Sequence, residues 1–136
     1  MINVKAVYIG NETESYIQDG FTSSGVNIIT SVENHVGKTI VMQAIMYAMG
    51  ADAQFPASFK SKLYVFIVDL EVDGREVSIL RNKDYFVVLD DGAVVPIEGK
   101  GDFDVFWNER ISPLPTIIKD GSPRLAGLPL YTQMSF

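Results

Sequence analysis

The sequence feature that most constrains the fold is a change to a period of two that begins at Leu63. From Tyr64 to Val72 every second side chain is apolar, and Asp69 and Glu71 lie between the apolar positions. Alternation of this kind is typical of a β-strand with one face buried against a core and one face turned to water. The stretch therefore predicts a strand rather than a helix.

Turn signals then divide the next thirty or so residues into short strands. Asp73-Gly74 is the strongest two-residue hairpin signal, and Asn82-Lys83-Asp84 and Asp91-Gly92 follow at similar spacing. Strands joined by such short turns must pair with their neighbours in antiparallel fashion. Residues 62–97 are thus predicted to form an antiparallel meander.

Composition limits the class of protein. The chain has 136 residues with 47% hydrophobic content, which favours one folded domain. It has no cysteine and one histidine, which excludes disulfides, cysteine-based zinc sites and a histidine cluster. The formal net charge of −6 disfavours a large basic surface for nucleic acid. No apolar run is long enough to cross a membrane and no signal peptide is evident, so a cytoplasmic location is expected.

A second stretch, Ser31–Thr39, contains the residues that are predicted to contact a ligand. It follows the apolar run Val26–Ile29 and precedes an apolar helical run from Ile40 to Met49. This order of strand, loop, Gly-Lys-Thr and helix is the P-loop layout, in which phosphate meets the amino end of a helix. Gly37 would allow close backbone approach, Lys38 would reach the β- and γ-phosphates, and the Thr39 hydroxyl would ligate Mg²⁺. The pattern is incomplete, because its first glycine falls on Val32, and an ordinary strand-loop-helix turn with an exposed Lys38 is the alternative.

Val32-Glu33-Asn34-His35-Val36-Gly37-Lys38-Thr39 resembles the Walker A loop of ABC-type ATPase heads. It is more similar to the SMC/RecN-like group, in which an asparagine stands four residues before the lysine, as Asn34 does. Some bacterial SMC-like ATPases, several of them from phage-defence systems, carry a similar glycine-poor loop. The resemblance implies binding of ATP with Mg²⁺, and the implied contacts are Glu33, Asn34, His35, Val36, Gly37, Lys38, Thr39 and Ile40.

The end of the chain adds a second point of resemblance. Leu128-Pro129-Leu130-Tyr131-Thr132-Gln133 is similar to the strand and Q-loop that end the first lobe of SMC-like heads. That resemblance implies that Gln133 contacts Mg²⁺ and the attacking water, so that Lys38 and Gln133 are the catalytic residues of this chain. The alternative is an ordinary strand with an exposed glutamine.

Val65–Asp69 has the form of a Walker B strand, but its context is unfavourable. The ABC pattern places a glutamate directly after the aspartate, whereas Leu70 separates Asp69 from Glu71. The hairpin that follows also makes this strand antiparallel to its successor. We therefore do not assign Asp69 as the Walker B carboxylate.

Three further elements are predicted from periodicity. Ile2, Val4, Ala6 and Tyr8 share one face of a first strand. A short amphipathic helix covers residues 102–112, with Asp102 as its N-cap and Trp107 packed in the core. Residues 116–123 form a polar connector.

Together these features predict an α/β fold, a P-loop NTPase half-domain (ABC/SMC head lobe I) with an antiparallel β-meander and a central P-loop helix. Residues 1–136 form one N-terminal ATPase lobe: strands, P-loop and helix in 1–50, the meander in 62–97, a short helix in 102–112, and the strand to the Q-loop in 124–136.

The resemblance implies hydrolysis only with the C-terminal lobe of the same ATPase and a second head, since the sequence has no signature motif and no convincing Walker B pair. DNA contact is possible in the full assembly, the pathway is DNA repair, maintenance or phage defence, and no membrane partner is expected. Two alternatives stay open. One is a non-enzymatic association module with a degenerate P-loop, and the other is a small stand-alone nucleotide-binding protein that uses Asp69 for magnesium.

Overall fold

The structure is a computed structural model that describes residues 2–18, 35–52, 54–57, 59–114, 116–119 and 121–125. For residues 18, 35–39, 116–119 and 122–125 only the backbone is described. The elements in chain order are β1 (Ile2–Gly10), β2 (Ser15–Gln18), α1 (His35–Ala48), a 3₁₀ turn (Ser61–Leu63), β3 (Val65–Val72), β4 (Arg75–Asn82), β5 (Tyr85–Asp90), β6 (Ala93–Glu98), α2 (Lys100–Phe106), a π-helical turn (Trp107–Ile111), β7 (Thr116–Lys119) and β8 (Ser122–Leu125).

Six strands form one sheet in the order β2-β1-β3-β4-β5-β6, and β7 and β8 form a separate hairpin. Every described strand pair is antiparallel. The β3 to β6 meander predicted from the turn signals is confirmed. The polar connector predicted for residues 116–123 is wrong, because β7 and β8 occupy most of it.

The tight turns of the meander follow from the residues that form them. Asp73 and Gly74 have φ angles of 50° and 82°, and Asp91 and Gly92 have 48° and 85°. Positive φ at both central positions is what a type I′ turn requires, and its twist matches the twist of the paired strands. Aspartate and glycine tolerate this conformation better than other residues, so the local sequence fixes both hairpins.

The predicted fold class, an α/β P-loop NTPase half-domain, is wrong. The described chain is a small β-rich domain with a six-stranded antiparallel sheet and two short helices. Among the described strands no parallel pair occurs, whereas an α/β core requires parallel strands joined by crossover helices. The reason lies in β3, which follows α1 in sequence but pairs antiparallel with both β1 and β4.

The core lies between one face of the sheet, here called the inner face, and the two helices. On β3 the buried side chains alternate with partly exposed ones, so that Phe66 and Val68 face α1. Ala44, Ile45 and Ala48 of α1 are fully buried against this face. Helix α1 is thus held by an apolar contact that spans the middle of the sheet.

Strand β1 does not keep the predicted alternation. Its register with β3 shifts between Val4 and Ala6, a β-bulge that places Val7 and Ile9 in the core together with Val4. An extra residue in one strand moves every later side chain to the other face. Tyr8 therefore lies on the face opposite to the one predicted.

The second helix completes the core at the β5 and β6 side. Phe103 stacks on Phe86 with ring centroids 4.5 Å apart, and Trp107 is fully buried next to Phe103. The packing role predicted for Trp107 is confirmed. The predicted N-cap is wrong: α2 begins at Lys100 after Gly99, so Asp102 lies within its first turn. No helix in the described part of the chain is long and apolar enough to span a membrane.

Candidate functional site

The candidate site predicted from sequence centres on the amino end of α1. The helix begins at His35, so Val36, Gly37, Lys38 and Thr39 fall within its first turns, where only the backbone is described. Ile40 comes next and is partly buried against the core. Glu33, Asn34 and Gln133 lie outside the described residues. The structure thus brings six of the predicted residues onto one helix and does not test the remaining three.

The electrostatics of this helix end are favourable to an anion. The first N–H groups of any α-helix have no partner within the helix, and the aligned peptide dipoles add a partial positive charge there. The first turn of α1 contains no acidic residue that would oppose a phosphate. The first turn of α1 thus adds no carboxylate of its own to the positive end of the helix dipole.

An apolar pocket lies beside the amino-terminal half of α1. Its volume is about 200 Å³, and it lies between the helix, the end of β1, the start of β2 and the segment that leads into β3. Its walls include Ile40 and Val41 from the helix and Ile9, Tyr16, Phe59 and Tyr64 from the surrounding elements. Glu14 supplies a carboxylate at its boundary.

The position of Glu14 follows from the loop between β1 and β2. The Asn11 side-chain oxygen accepts hydrogen bonds from the backbone N–H groups of Thr13 and Glu14, both at 2.9 Å. The Asn11 N–H donates in turn to the Glu14 carbonyl oxygen at 2.9 Å. Asparagine commonly closes a turn in this way, so the local sequence fixes the backbone position from which the Glu14 side chain extends.

Glu14 accepts a hydrogen bond from the phenolic hydroxyl of Tyr64. This bond raises the pKa of Tyr64 above its ordinary value, and desolvation and the charge of Glu14 raise it further. The hydroxyl therefore stays protonated throughout the neutral range. The pair joins the β1–β2 loop to the segment that leads into β3.

At its other end α1 is held by Arg81, a buried arginine of β4 that is only 2% exposed. Nη1 donates to the carbonyl oxygen of Tyr47, in the last turn of α1, at 2.7 Å and to that of Ala51, just after the helix, at 2.8 Å. Nε donates to the carbonyl oxygen of Lys83 at 2.7 Å. A cation in this place also complements the helix dipole.

Aromatic rings enclose the same guanidinium. Its central carbon lies 3.7 Å from the centroid of the Tyr47 ring and 5.0 Å from that of Phe86. Burial lowers the pKa of Arg81, and the nearby charges of Asp84 and Asp52 act in the opposite direction. The group nevertheless remains a cation, since arginine does not lose its proton in proteins under ordinary conditions.

Asp69 is placed away from the candidate site. On β3 it alternates with Phe66 and Val68, which face α1, so its carboxylate lies on the opposite face of the sheet, where it accepts a hydrogen bond from Ser78 Oγ at 2.6 Å. This position opposes the stand-alone alternative that used Asp69 for magnesium. Among the described residues no group of three or more His, Cys, Asp or Glu side chains is placed to hold a metal ion.

Sequence reasoning missed both the hydrogen bonds from Arg81 to the carboxyl end of α1 and the Glu14–Tyr64 pair. For Arg81 a signal was present, because Val77, Ile79 and Arg81 share the inner face of β4. A charged side chain at a buried position of a strand requires hydrogen-bond or ionic partners in the core. For Glu14 and Tyr64 no signal existed, because 50 residues separate them.

No family model matches the chain. It is 26% identical over 119 residues to Lamassu protein LmuB of Bacillus cereus (strain VD014), a match that covers 88% of this chain and 19% of the relative. The chain thus spans about a fifth of the length of this curated relative. The similarity supports a loose link between this chain and SMC-like defence proteins.

Proposed function

We propose that this chain is the ATP-binding part of an SMC-like ATPase that acts in phage defence. The distant similarity to Lamassu protein LmuB favours defence over DNA repair or maintenance as the pathway. The proposal takes its site from the Gly37-Lys38-Thr39 sequence and does not depend on the fold class predicted from that sequence.

The observation that carries the proposal is the place of Gly37-Lys38-Thr39 in the first turns of α1. Free N–H groups and the helix dipole would hold the phosphates, and the Lys38 ammonium would neutralise their charge. Because α1 is fixed by its apolar face and by Arg81, the helix would already be in position before ATP arrives. A rigid site lowers the entropy lost on binding.

Thr39 and Gln133 would hold Mg²⁺ through their side-chain oxygens, and Glu33, Asn34, His35, Val36 and Ile40 would line the loop around the nucleotide. Magnesium prefers oxygen ligands and keeps several waters, so a site with few protein ligands suits it. The bound ion would neutralise charge on the phosphates, and Gln133 would orient the attacking water.

Hydrolysis would require the C-terminal lobe and a second head. Phosphoryl transfer depends mainly on positioning and charge stabilisation, so a chain that supplies half of the groups gives little rate. DNA would contact the complete assembly rather than this acidic segment. We expect the isolated chain to bind Mg-ATP and to release almost no phosphate.

The test compares thermal unfolding with and without Mg-ATP for wild type, Lys38→Ala and Lys62→Ala. Lys62 is a matched control because it is an exposed lysine in the 3₁₀ turn. At a hundredfold excess over Kd the wild type and the control should gain about 2.7 kcal/mol, and Lys38→Ala should gain almost nothing. Circular dichroism checks that each variant is folded.

A Lys38→Ala variant that gains as much as wild type would refute the site, and a wild type that gains nothing would refute ATP binding by this chain. Rapid phosphate release by the pure chain would instead refute the need for a second lobe. In a complete protein, Gln133→Ala should keep ATP binding and lose turnover.

A further inference from the structure

The sheet has a second, outer face that neither helix covers, and an apolar row crosses it. The side chains of Ile17, Tyr8 and Ile67 lie directly opposite one another on β2, β1 and β3. The row continues through Leu80 and Val87 to Pro96 on β6. We call these six residues the apolar band: Ile17, Tyr8, Ile67, Leu80, Val87 and Pro96.

The two ends of the band, Ile17 and Pro96, are exposed, and the four residues between them are partly exposed. Ile17 is 57% exposed, and Leu89 and Val94, which flank the band on β5 and β6, are 45% and 64% exposed. At the β2 end the surface is concave, a groove of about 820 Å³ lined by Ile17, Leu63, Ile67 and neighbouring residues. Contiguous apolar surface of this kind commonly marks an interaction site.

Carboxylates border the band along one side. Asp69, Glu71 and Glu76 lie on the same outer face as Ile67 and Leu80, and we call them the acidic strip. Glu71 and Glu76 are directly opposite each other, a like-charge pair that destabilises a sheet. Lys5 compensates only Glu71, with its Nζ 3.3 Å from that carboxylate. A basic group from outside would relieve this repulsion.

The size of the band argues against a second copy of this chain. Six strands at about 4.8 Å spacing make the band about 24 Å long, and with a width of two or three side chains it presents roughly 400 Å². A stable homodimer needs about 800 Å² on each partner, whereas a weak or transient complex can form on a smaller patch. Two copies would also bring together formal net charges of −6 each.

A single helix fits these dimensions. At a rise of 1.5 Å per residue, about 16 helical residues span 24 Å. A helix satisfies its own backbone hydrogen bonds, so it can lie on an apolar face without a strand edge to pair with. Asp69 lies about 7 Å from the band, and Glu71 and Glu76 lie about 14 Å from it, so long lysine or arginine side chains on the border of such a helix would extend toward the strip.

The strand edges themselves are less suitable for a partner. In the β5–β6 hairpin Val87 and Pro96 form a pair without ladder hydrogen bonds, so Pro96 presents its nitrogen to the open side of β6. Proline has no N–H to donate there, which weakens pairing of another strand with this edge. Recognition across the outer face is therefore favoured over extension of the sheet at β6.

We propose that the outer face binds an amphipathic helix of a partner polypeptide whose apolar stripe is bordered by lysine or arginine. The apolar band receives the stripe, and the acidic strip pairs with the basic border. This inference does not depend on ATP binding.

The probe is a fluorescent synthetic helix of about 16 residues, with a leucine stripe bordered by lysine, and its control has glutamate in place of lysine. Fluorescence anisotropy measures binding of both probes to the folded chain. The lysine probe should bind saturably and the glutamate probe much more weakly. Added salt should weaken the lysine probe, because exposed charges are screened.

Paired variants separate this face from general charge or hydrophobic effects. Val87→Asp and Glu76→Lys should each weaken binding about tenfold, equivalent to about 1.4 kcal/mol. Their controls are Val105→Asp on α2 and Glu109→Lys on the π-helical turn, both at exposed positions away from the outer face. Both control variants should bind the lysine probe with a Kd within about twofold of the wild-type Kd, as expected for residues that contribute little to binding. Ile17→Asp, at a more exposed end of the band, replaces Val87→Asp if that variant does not fold.

No saturable binding of the lysine probe, or equal losses in the test and control variants, would overturn the proposal. Analytical ultracentrifugation gives a further outcome. A dimer that Val87→Asp abolishes and Val105→Asp preserves would overturn the proposal in favour of a second copy on this face.

Discussion

Replacement of Arg81 by methionine tests the idea that a buried cation fixes the helix that carries the candidate site. Methionine retains much of the length and apolar stem of arginine but cannot donate a hydrogen bond. The carbonyl oxygens of Tyr47, Ala51 and Lys83 would lose their guanidinium donors, which now lie at 2.7, 2.8 and 2.7 Å. The cation above the Tyr47 ring would also be lost.

The cost can be estimated from these contacts. Hydrogen bonds to a charged group contribute about 1.5–3 kcal/mol each, and a desolvated cation–π contact contributes up to about 2 kcal/mol. Burial of the guanidinium also costs desolvation free energy, as the lowered pKa of Arg81 reflects. Methionine avoids this cost, which reduces the net loss of stability. The three lost bonds and the lost ring contact, less the desolvation that methionine avoids, leave a net cost on the order of 3–5 kcal/mol. For a domain of this size that is a fall in Tm of roughly 10–20 °C.

Differential scanning fluorimetry measures the fall, with Arg75→Met as the control. Arg75 lies on the same strand and pairs with Asp90 at 2.6 Å, but its side chain is 39% exposed. The pair is bidentate and Arg75 Nη2 also donates to the Arg110 carbonyl oxygen at 3.1 Å, but solvent screens the guanidinium, so the control should lose less than Arg81→Met, about 1 kcal/mol or a few degrees. Arg81→Lys should fall between the two, since an ammonium cannot reproduce the guanidinium fork.

Hydrogen exchange locates the effect within the molecule. In Arg81→Met the amides at the carboxyl end of α1, near Tyr47 and Gly50, should exchange faster by more than the amides of β1. If Arg81→Met lowers Tm no more than Arg75→Met, or if exchange rises uniformly, Arg81 does not hold α1 and the reasoning fails.

Three other outcomes are expected. The bond to Glu14 raises the pKa of Tyr64, so this bond should make wild type more stable than Tyr64→Phe below about pH 10. That difference in stability should be lost as the pH rises through the Tyr64 pKa. A difference in Tm between the two proteins that does not change up to about pH 11 would contradict this. The Nε1 of Trp107 is buried without an acceptor among the described residues, so Trp107→Phe should cost less than the roughly 3–5 kcal/mol of Trp107→Ala in urea unfolding; equal losses would count against it. Ile45→Ala should cost about 2–5 kcal/mol because Ile45 is fully buried, whereas Met46→Ala, at a partly exposed position of the same helix, should cost less, and the reverse order would contradict the assigned face of α1.

Local sequence rules were sufficient for the meander and for the burial of Trp107. The Asp-Gly turns fix their own backbone angles, and the alternation from Tyr64 to Val72 fixes which side chains share a face. Each of these outcomes depends on residues only a few positions apart. The same locality limited the candidate site: the sequence indicated a helical run from Ile40, whereas α1 begins at His35, and no local rule shows what surrounds its amino end.

Strand partners and the core contacts of β1 required the tertiary structure. Sequence showed that a strand follows α1, but only the fold decided that β3 runs antiparallel to β1, and this overturned the predicted α/β class. The bulge near Lys5 exchanged the faces of Val7 and Tyr8, so a residue expected inside joined the apolar band outside. Arg81 finds its acceptors 30 and 34 positions away. Composition and periodicity thus determined the local elements of this protein, and the pairing of distant residues decided its fold class and its surfaces, because the free energy of such pairs depends on packing that no short stretch of sequence contains.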